Sequence, residues 1–250
     1  MTQAHPPIRP LQGEALIAVW ERCSQQPRSM RSLALLTEGC GLNEEEAAAL
    51  SVPACDSALL ALRRRSFGDA LRGFANCRSC SERLEFTLSA GQIAQRLADA
   101  TCVAGSSRHG LWTLHCRFAT IADVHAAAAQ SDLVVARNVL LTRCVSAIHD
   151  DGHNIALNEF PPELLAAADE RLAAVHDAAE LSVALTCPAC EATADITLDL
   201  AELLWAETRH TARRLFADVH ELAWAYGWSE DAILSMSAPR RAAYLALVRS

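Results

Sequence analysis

Cys77-Arg78-Ser79-Cys80, running on into Leu84, Phe86 and Leu88, and Cys187-Pro188-Ala189-Cys190, running on into Ala194, Ile196 and Leu198, decide how this chain is read. A shift of 110 positions superimposes both cysteines of each pair, the three apolar positions after them, and then Ile93 on Leu203. Alternation of apolar and polar residues is the strand signature. Each Cys-x-x-Cys pair therefore sits at the tip of a β-hairpin, and the chain builds that unit twice. Two intervening residues let a tight turn aim both sulfurs at one ion. One turn supplies half of a tetrahedral site, so two are required to complete the four thiolates that structural zinc takes. The expectation is one zinc per chain, held by Cys77, Cys80, Cys187 and Cys190, with Leu84, Phe86, Ile196 and Leu198 pointing into one shared apolar layer.

The pairs admit two other readings: buried small hydrophobes, and a redox dithiol. A redox dithiol sits between a strand and a helix in a thioredoxin-like pattern, whereas strand-like segments flank both pairs here. One position departs from the usual knuckle. Glycine is favoured after the second cysteine, where a left-handed backbone is needed, and this chain has Ser81 and Glu191.

Composition narrows the function. The 250 residues are 51% hydrophobic, enough for a sizeable core, but only 5% aromatic, with a formal charge of −8. An acidic balance argues against nucleic-acid binding, which needs a basic footprint. Arg63-Arg64-Arg65 and Arg240-Arg241 are read as solvated helix faces. All 22 basic residues are arginine. Without lysine there is no Walker phosphate loop, no Schiff-base nucleophile and no Ser-x-x-Lys nucleophile. Neither a Gly-x-Ser-x-Gly elbow nor a Gly-x-Gly-x-x-Gly loop is present, and no nucleophile, base and oxyanion donor gather anywhere; the chain reads as non-catalytic. His149 and His153 flank the Asp151-Gly152 turn rather than sharing a helix face, so they are read without a metal role. Gly39-Cys40-Gly41 reads as a turn between helices.

The amino terminus shows no basic stretch followed by an apolar core, and no apolar run approaches the ~18 residues of a membrane helix. The expected location is cytoplasmic, with reduced thiols. Cys23, Cys40, Cys55, Cys102, Cys116 and Cys144 then read as ordinary buried residues.

The expected fold is α+β and mostly helical, with two hairpin knuckles joined around one metal and surrounded by helices. Residues 1–66 form an N-terminal helical region, with Leu16, Val19, Trp20 and Cys23 on one face and Asn43 and Glu46 at a helix start. Residues 67–100 carry the first hairpin and a short helix capped by Ser89. Residues 101–178 hold a strand over 111–118, and helices capped by Thr120 with Asp123 and by Ser131. The second of these has an apolar face of Leu133, Val134, Ala136, Val139, Leu140 and Val145. Pro161 and Pro162 open the next helix. Residues 179–250 carry the second hairpin, a helix from Asp199 to a stop at Gly227, and two short helices. Trp205, Trp224 and Trp228 fall off the long helix's apolar stripe, which points to a partner-binding face made of Trp224, Trp228, Ile233, Leu234 and Tyr244.

Several segments resemble a family of baseplate proteins, also described as baseplate hub assembly chaperones, from tailed phages and phage-derived contractile injection systems. The matching stretches are Leu59-Leu60-Ala61-Leu62-Arg63 with Phe67-Gly68-Asp69; Cys77 to Phe86; Asn138 to Val145 with Asp151-Gly152; Leu185 to Cys190 leading into Asp199-Leu200; and Tyr226-Gly227-Trp228-Ser229-Glu230 through Arg241. The resemblance runs from about residue 50 to the end, and its strength lies in the order of the set. It implies a non-catalytic protein that builds or completes a baseplate, with hub, spike or wedge proteins as partners and incorporation into a phage-tail-like particle as one destination. A zinc-ribbon adaptor in transcription or RNA handling, and a Cys-x-x-Cys redox protein, are the alternatives from other classes.

Overall fold

A computed structural model describes residues 8–100 and 104–249; Cys102 lies outside them. The fold is α+β, with eleven α-helices and eight strands among the described residues. The chain divides into two compact units.

The first unit comprises residues 1–43, 58–68 and 200–250. Its helices are α1 (Gly13–Ser24), α2 (Arg31–Cys40), the later part of α4 (Val52–Phe67), α9 (Leu200–Tyr226), α10 (Glu230–Leu234) and α11 (Ala238–Val248). Leu16, Val19 and Cys23 of α1 are buried as the sequence pattern requires. Helices α1 and α2 both pack on α9. Gly39 lies so close to Leu62 that a Cβ there would come within 2.3 Å of its Cδ2. Gly39 and Cys40 are the last residues of α2, and only Gly41, at a φ of 68°, leaves the helix; Cys40 is buried, which closes off a reactive thiol here. Arg63 is buried and forks onto Glu207, with Nε and Nη2 donating at 3.0 and 2.8 Å. Helix α9 runs 27 residues and ends at Gly227, whose φ of 67° is the left-handed conformation of a helix stop. Its buried line is Leu200, Leu204, Trp205, Thr208, Ala212, Leu215 and Leu222. Trp205 therefore belongs to the core, where Arg31 lies over its ring, and not to a partner face. Ile233 is likewise fully buried, against Leu222 and Leu245.

The second unit comprises residues 44–57 and 69–199. It holds α3 (Glu44–Ala49), the start of α4, the hairpin β1 (Ala70–Asn76) with β2 (Arg83–Ser89), α5 (Ala90–Ala100), and a four-stranded sheet. The sheet is an antiparallel meander of β3 (Gly105–His109), β4 (Trp112–Cys116), β5 (Val145–His149) and β6 (Asn154–Ile155). Helices α6 (Ile121–Ala128) and α7 (Leu133–Cys144) connect β4 to β5. Helix α8 (Pro162–Ala179) leads into the second hairpin, β7 (Ser182–Thr186) with β8 (Thr193–Thr197). The core of the unit joins Leu114, Cys116 and Phe118 of the β4 segment to Leu141 and Cys144 of α7, and to Leu164, Ala168, Leu172 and Val175 of α8.

Two expectations for α7 are corrected. Its N-cap is Asp132, whose carboxylate accepts the Val134 and Val135 N–H groups, and not Ser131. Its buried residues are Leu141 and Cys144, while Leu133 and Val134 are 88% and 61% exposed. Strand β5 begins where the apolar pattern still continues the helix. Val145 and Ala147 are buried by alternation along a strand, in register with Cys116 and Leu114. The Thr120–Asp123 capping box forms as read, and Asp123 does more than cap. Its buried carboxylate also accepts from Arg117 Nη1 at 2.7 Å and Arg143 Nη1 at 3.0 Å, tying the end of β4 to α6 and α7.

Candidate metal centre

Both cysteine turns are built on the same backbone plan. In the first hairpin Ala70 to Asn76 pair with Ser89 to Arg83, which leaves Cys77 to Glu82 as the loop. The Cys77 N–H donates to the Glu82 carbonyl at 2.8 Å, and the Ser81 N–H donates back to the Cys77 carbonyl at 2.9 Å. The second turn repeats both bonds, Cys187 to Ala192 and Glu191 to Cys187, each at 2.9 Å. Ser81 and Glu191 have φ of 65° and 59°, and among the described residues they are the two non-glycine residues at positive φ. The left-handed step that favours glycine is thus present in both knuckles, taken by residues with a Cβ.

The bases of the hairpins are closed separately. At the first, Asp69 accepts from the Ala90 N–H through its carbonyl, and from Ser89 Oγ (2.7 Å) and the Gly91 N–H (3.1 Å) through its carboxylate. At the second, the Leu198 N–H donates to the Leu181 carbonyl and Thr197 Oγ1 donates to Glu180. Arg96 of α5 donates to the Ser182 carbonyl at 2.8 Å, so the helix leaving one hairpin grips the first strand of the other. Packing between α5 and α8 adds to this frame.

The frame brings the four sulfurs together. Cys77 Sγ lies 3.6 Å from Cys190 Sγ, Cys80 Sγ lies 3.6 Å from Cys187 Sγ, and all four fall within 4.8 Å of one another. Zinc–sulfur bonds of about 2.3 Å at tetrahedral angles place the sulfurs about 3.8 Å apart, so the cluster has the spacing of a four-thiolate site. At 3.6 Å the sulfurs are also far beyond the ~2.05 Å of a disulfide. Cys77 and Cys187 are buried and Cys80 and Cys190 are exposed, giving one dry and one solvent-facing cysteine per turn.

Side chains fill the space between the turns in a complementary way. The cross-strand pair beside the first turn is Ala75 with Leu84, and the pair beside the second is Leu185 with Ala194. The repeat thus exchanges large for small, and Leu84 packs with Leu185 and Ala192 against Cys77 and Cys187. Of the four residues expected to share an apolar layer, Leu84 is buried, while Phe86, Ile196 and Leu198 are half-buried. Phe86 covers Gly73, its partner across the hairpin, where a Cβ would come within 2.4 Å of the ring.

The electrostatics favour a cation. Backbone N–H groups of Cys80 and Ser79 point at the Cys77 sulfur and bring its thiol down to about 6. At Cys80 the Glu82 N–H acts in the same sense, but hydrogen bonds with Cys190 and Cys187 outweigh it and push the thiol up to about 12. Four thiolates this close repel one another unless a divalent ion offsets their charge, and metal binding releases the protons.

The remaining cysteines differ in kind. Cys23, Cys40, Cys55, Cys116 and Cys144 are buried. Burial pushes the thiol of Cys23 up to about 12 and those of Cys40 and Cys144 up to about 11.

Comparison with protein-family models, curated proteins and solved structures finds no match. None of the described helices is long and apolar enough to cross a membrane.

Trp224, Trp228 and Tyr244, the residues expected to bind a partner, all belong to the first unit. Trp224 is 87% exposed. Tyr226 stacks on Trp228 with centroids 4.4 Å apart, and Trp228 meets Tyr244 edge-on at 4.8 Å. His149 and His153, which the sequence analysis reads without a metal role, converge with Asp151 so that their ligand atoms lie within 4.8 Å of one another. The signal was legible as two histidines around an aspartate, but only the β5–β6 turn folds them onto one side.

Proposed function

We propose that this protein is a non-catalytic zinc-binding protein that assembles, or forms part of, the baseplate of a phage tail or contractile injection particle. The observation that carries the zinc reading is the convergence of four sulfurs from turns 110 residues apart, within 4.8 Å. An ion there would hold two hairpins that local sequence cannot hold together, and structural zinc sites contribute folding free energy directly. The baseplate assignment rests on the ordered sequence resemblance. Binding of a hub, spike or wedge protein is the mode of action, supported by the exposed Trp224 near the end of α9 and by the ring cluster of Tyr226, Trp228 and Tyr244. Aromatic anchors of this kind cost about 2 kcal/mol or more of binding free energy on truncation to alanine.

Metal analysis of the purified protein should give tightly held zinc near one per chain, lost in Cys187→Ser. Deleting the gene should leave sheath and tube proteins made but few complete particles visible by electron microscopy. Trp224→Ala should reduce rescue of the deletion while keeping its zinc. Protein without tight metal, or normal particle numbers and normal injection in the deletion strain, would overturn the corresponding half of the proposal.

A further inference from the structure

The turn between β5 and β6 carries a second group of ligating atoms, unrelated to the cysteines. Asp151 Oδ1 faces Nδ1 of His149 at 2.9 Å and also Nδ1 of His153, and the three ligand atoms lie within 4.8 Å of one another. Two imidazoles share one carboxylate oxygen. That oxygen also accepts the His153 N–H at 3.2 Å, and in the absence of a cation both rings must carry their proton on Nδ1 so that no ring lone pair faces it. Yet the Asp151 N–H also points at His149 Nδ1, at 3.4 Å, a contact that calls for a lone pair there. A metal ion removes the need for an Nδ1 proton on either ring, since it binds neutral imidazole through the lone pair; on His149 that lone pair then serves the ion in place of the long Asp151 N–H contact.

The His149 Nδ1–Asp151 Oδ1 spacing of 2.9 Å has the right scale. Metal–nitrogen and metal–oxygen bonds of about 2.0–2.2 Å put neighbouring ligand atoms about 3.0 Å apart at right angles and about 3.4 Å apart at tetrahedral corners. The ligands are also held in place. His149 is the last residue of β5, in register with Trp112 of β4. The Trp112 ring meets His149 edge-on at 4.8 Å and His153 at 5.5 Å, restricting both imidazoles. Backbone bonds from His149 N–H to the His153 carbonyl (2.9 Å) and from Gly152 N–H to the His149 carbonyl (2.8 Å) close the turn. Asp150 is anchored by its N–H to the Leu111 carbonyl and by its carboxylate to Arg108.

We propose that His149, Asp151 and His153 form an exchangeable site for a borderline divalent transition ion such as Ni²⁺, Co²⁺ or Zn²⁺. Imidazole donors select such ions over Mg²⁺ and Ca²⁺, which prefer all-oxygen surroundings. Three protein ligands leave further positions for water or an outside donor. His149 is partly buried and the other two are exposed, so the ion exchanges with solvent while the cysteine zinc stays.

The test is nickel titration of the zinc-loaded, full-length protein, reading nickel and zinc content after equilibrium dialysis together with tryptophan fluorescence. One nickel per chain is expected in addition to retained zinc, with quenching that disappears in Trp112→Phe although nickel still binds. His153→Gln and Asp151→Asn should each weaken nickel binding by about tenfold or more. Both residues are exposed, and unchanged melting of the nickel-free variants verifies their folding. Magnesium and calcium should neither bind nor compete. No nickel uptake at millimolar concentration, uptake matched by zinc loss, or affinity unchanged in both variants would overturn the proposal.

Discussion

Replacing Ser81 and Glu191 by glycine should stabilise the protein, and the effect can be sized from the backbone. Both residues hold a left-handed φ, 65° and 59°, at equivalent positions of the two cysteine turns. A Cβ in that region costs about 1–2 kcal/mol. Glycine removes this strain but adds freedom to the unfolded chain, worth about 0.4–1 kcal/mol in the opposite sense. Both side chains are exposed, so truncation removes no packing. The net gain should be roughly 0.5–1 kcal/mol per turn and about twice that in the double variant, because the substitutions relieve separate turns. For a cooperative unit of this size, each kcal/mol moves Tm by about 2–4 °C. The assay is urea and thermal unfolding of the metal-loaded proteins, with Ser79→Gly and Ala189→Gly as controls. Those two positions are not at positive φ, so glycine there gains nothing and should cost about 0.4–1 kcal/mol. The reasoning is refuted if Ser81→Gly and Glu191→Gly destabilise as much as the controls do.

Three further outcomes follow from buried polar groups. Asp123→Ala should cost about 1–3 kcal/mol, since it removes the acceptor of the Thr120 N–H and the shared partner of Arg117 and Arg143, both half exposed and so able to turn to water; loss under about 0.5 kcal/mol in denaturant unfolding would contradict this. Burial opposes ionisation of Asp123, but hydrogen bonds from Arg117, Thr120 and Arg143 prevail and hold its carboxyl well below the usual range. Its contribution is therefore present above pH ~4 and lost as pH falls toward the folded value. Asp56 has the opposite sign: burial, and then repulsion from Asp199, push its carboxyl up to about 7. Ionising it destabilises the fold as pH rises from ~4 to ~7, so Asp56→Asn should gain roughly 1–3 kcal/mol at pH 8 and little at pH 4, measured by urea unfolding at both. Cys23, Cys40 and Cys144, buried and raised, should resist a thiol reagent in the native protein and react on denaturation; rapid native labelling of any of them by mass spectrometry would contradict their placement.

The chain by itself determined the two hairpins, the cysteine turns at their tips, and the long α9 helix with its glycine stop, because these rest on short-range rules: period-two alternation, two-residue ligand spacing and left-handed termination. Spacing also matched each cysteine to its counterpart 110 residues away. The left-handed step at Ser81 and Glu191 was legible as a missing glycine, but only the folded turns show that the backbone takes it. Local rules failed where an apolar run admits two periods. Leu133 to Val145 reads as one helical face, yet sheet pairing with Cys116 and Leu114 draws Val145 and Ala147 into β5, and Leu133 and Val134 are exposed. Trp205 and Ile233 are buried because neighbouring helices cover them, which no single helix's pattern records. The repeat already pointed to a meeting of the four sulfurs, but the frame that makes it was decided by tertiary structure: α5 grips β7 and packs on α8. The meeting of His149 with His153 depends on a turn that reverses the strand between them. Long-range proximity of this kind comes from the packing of whole elements, which the sequence encodes only through all of its contacts at once.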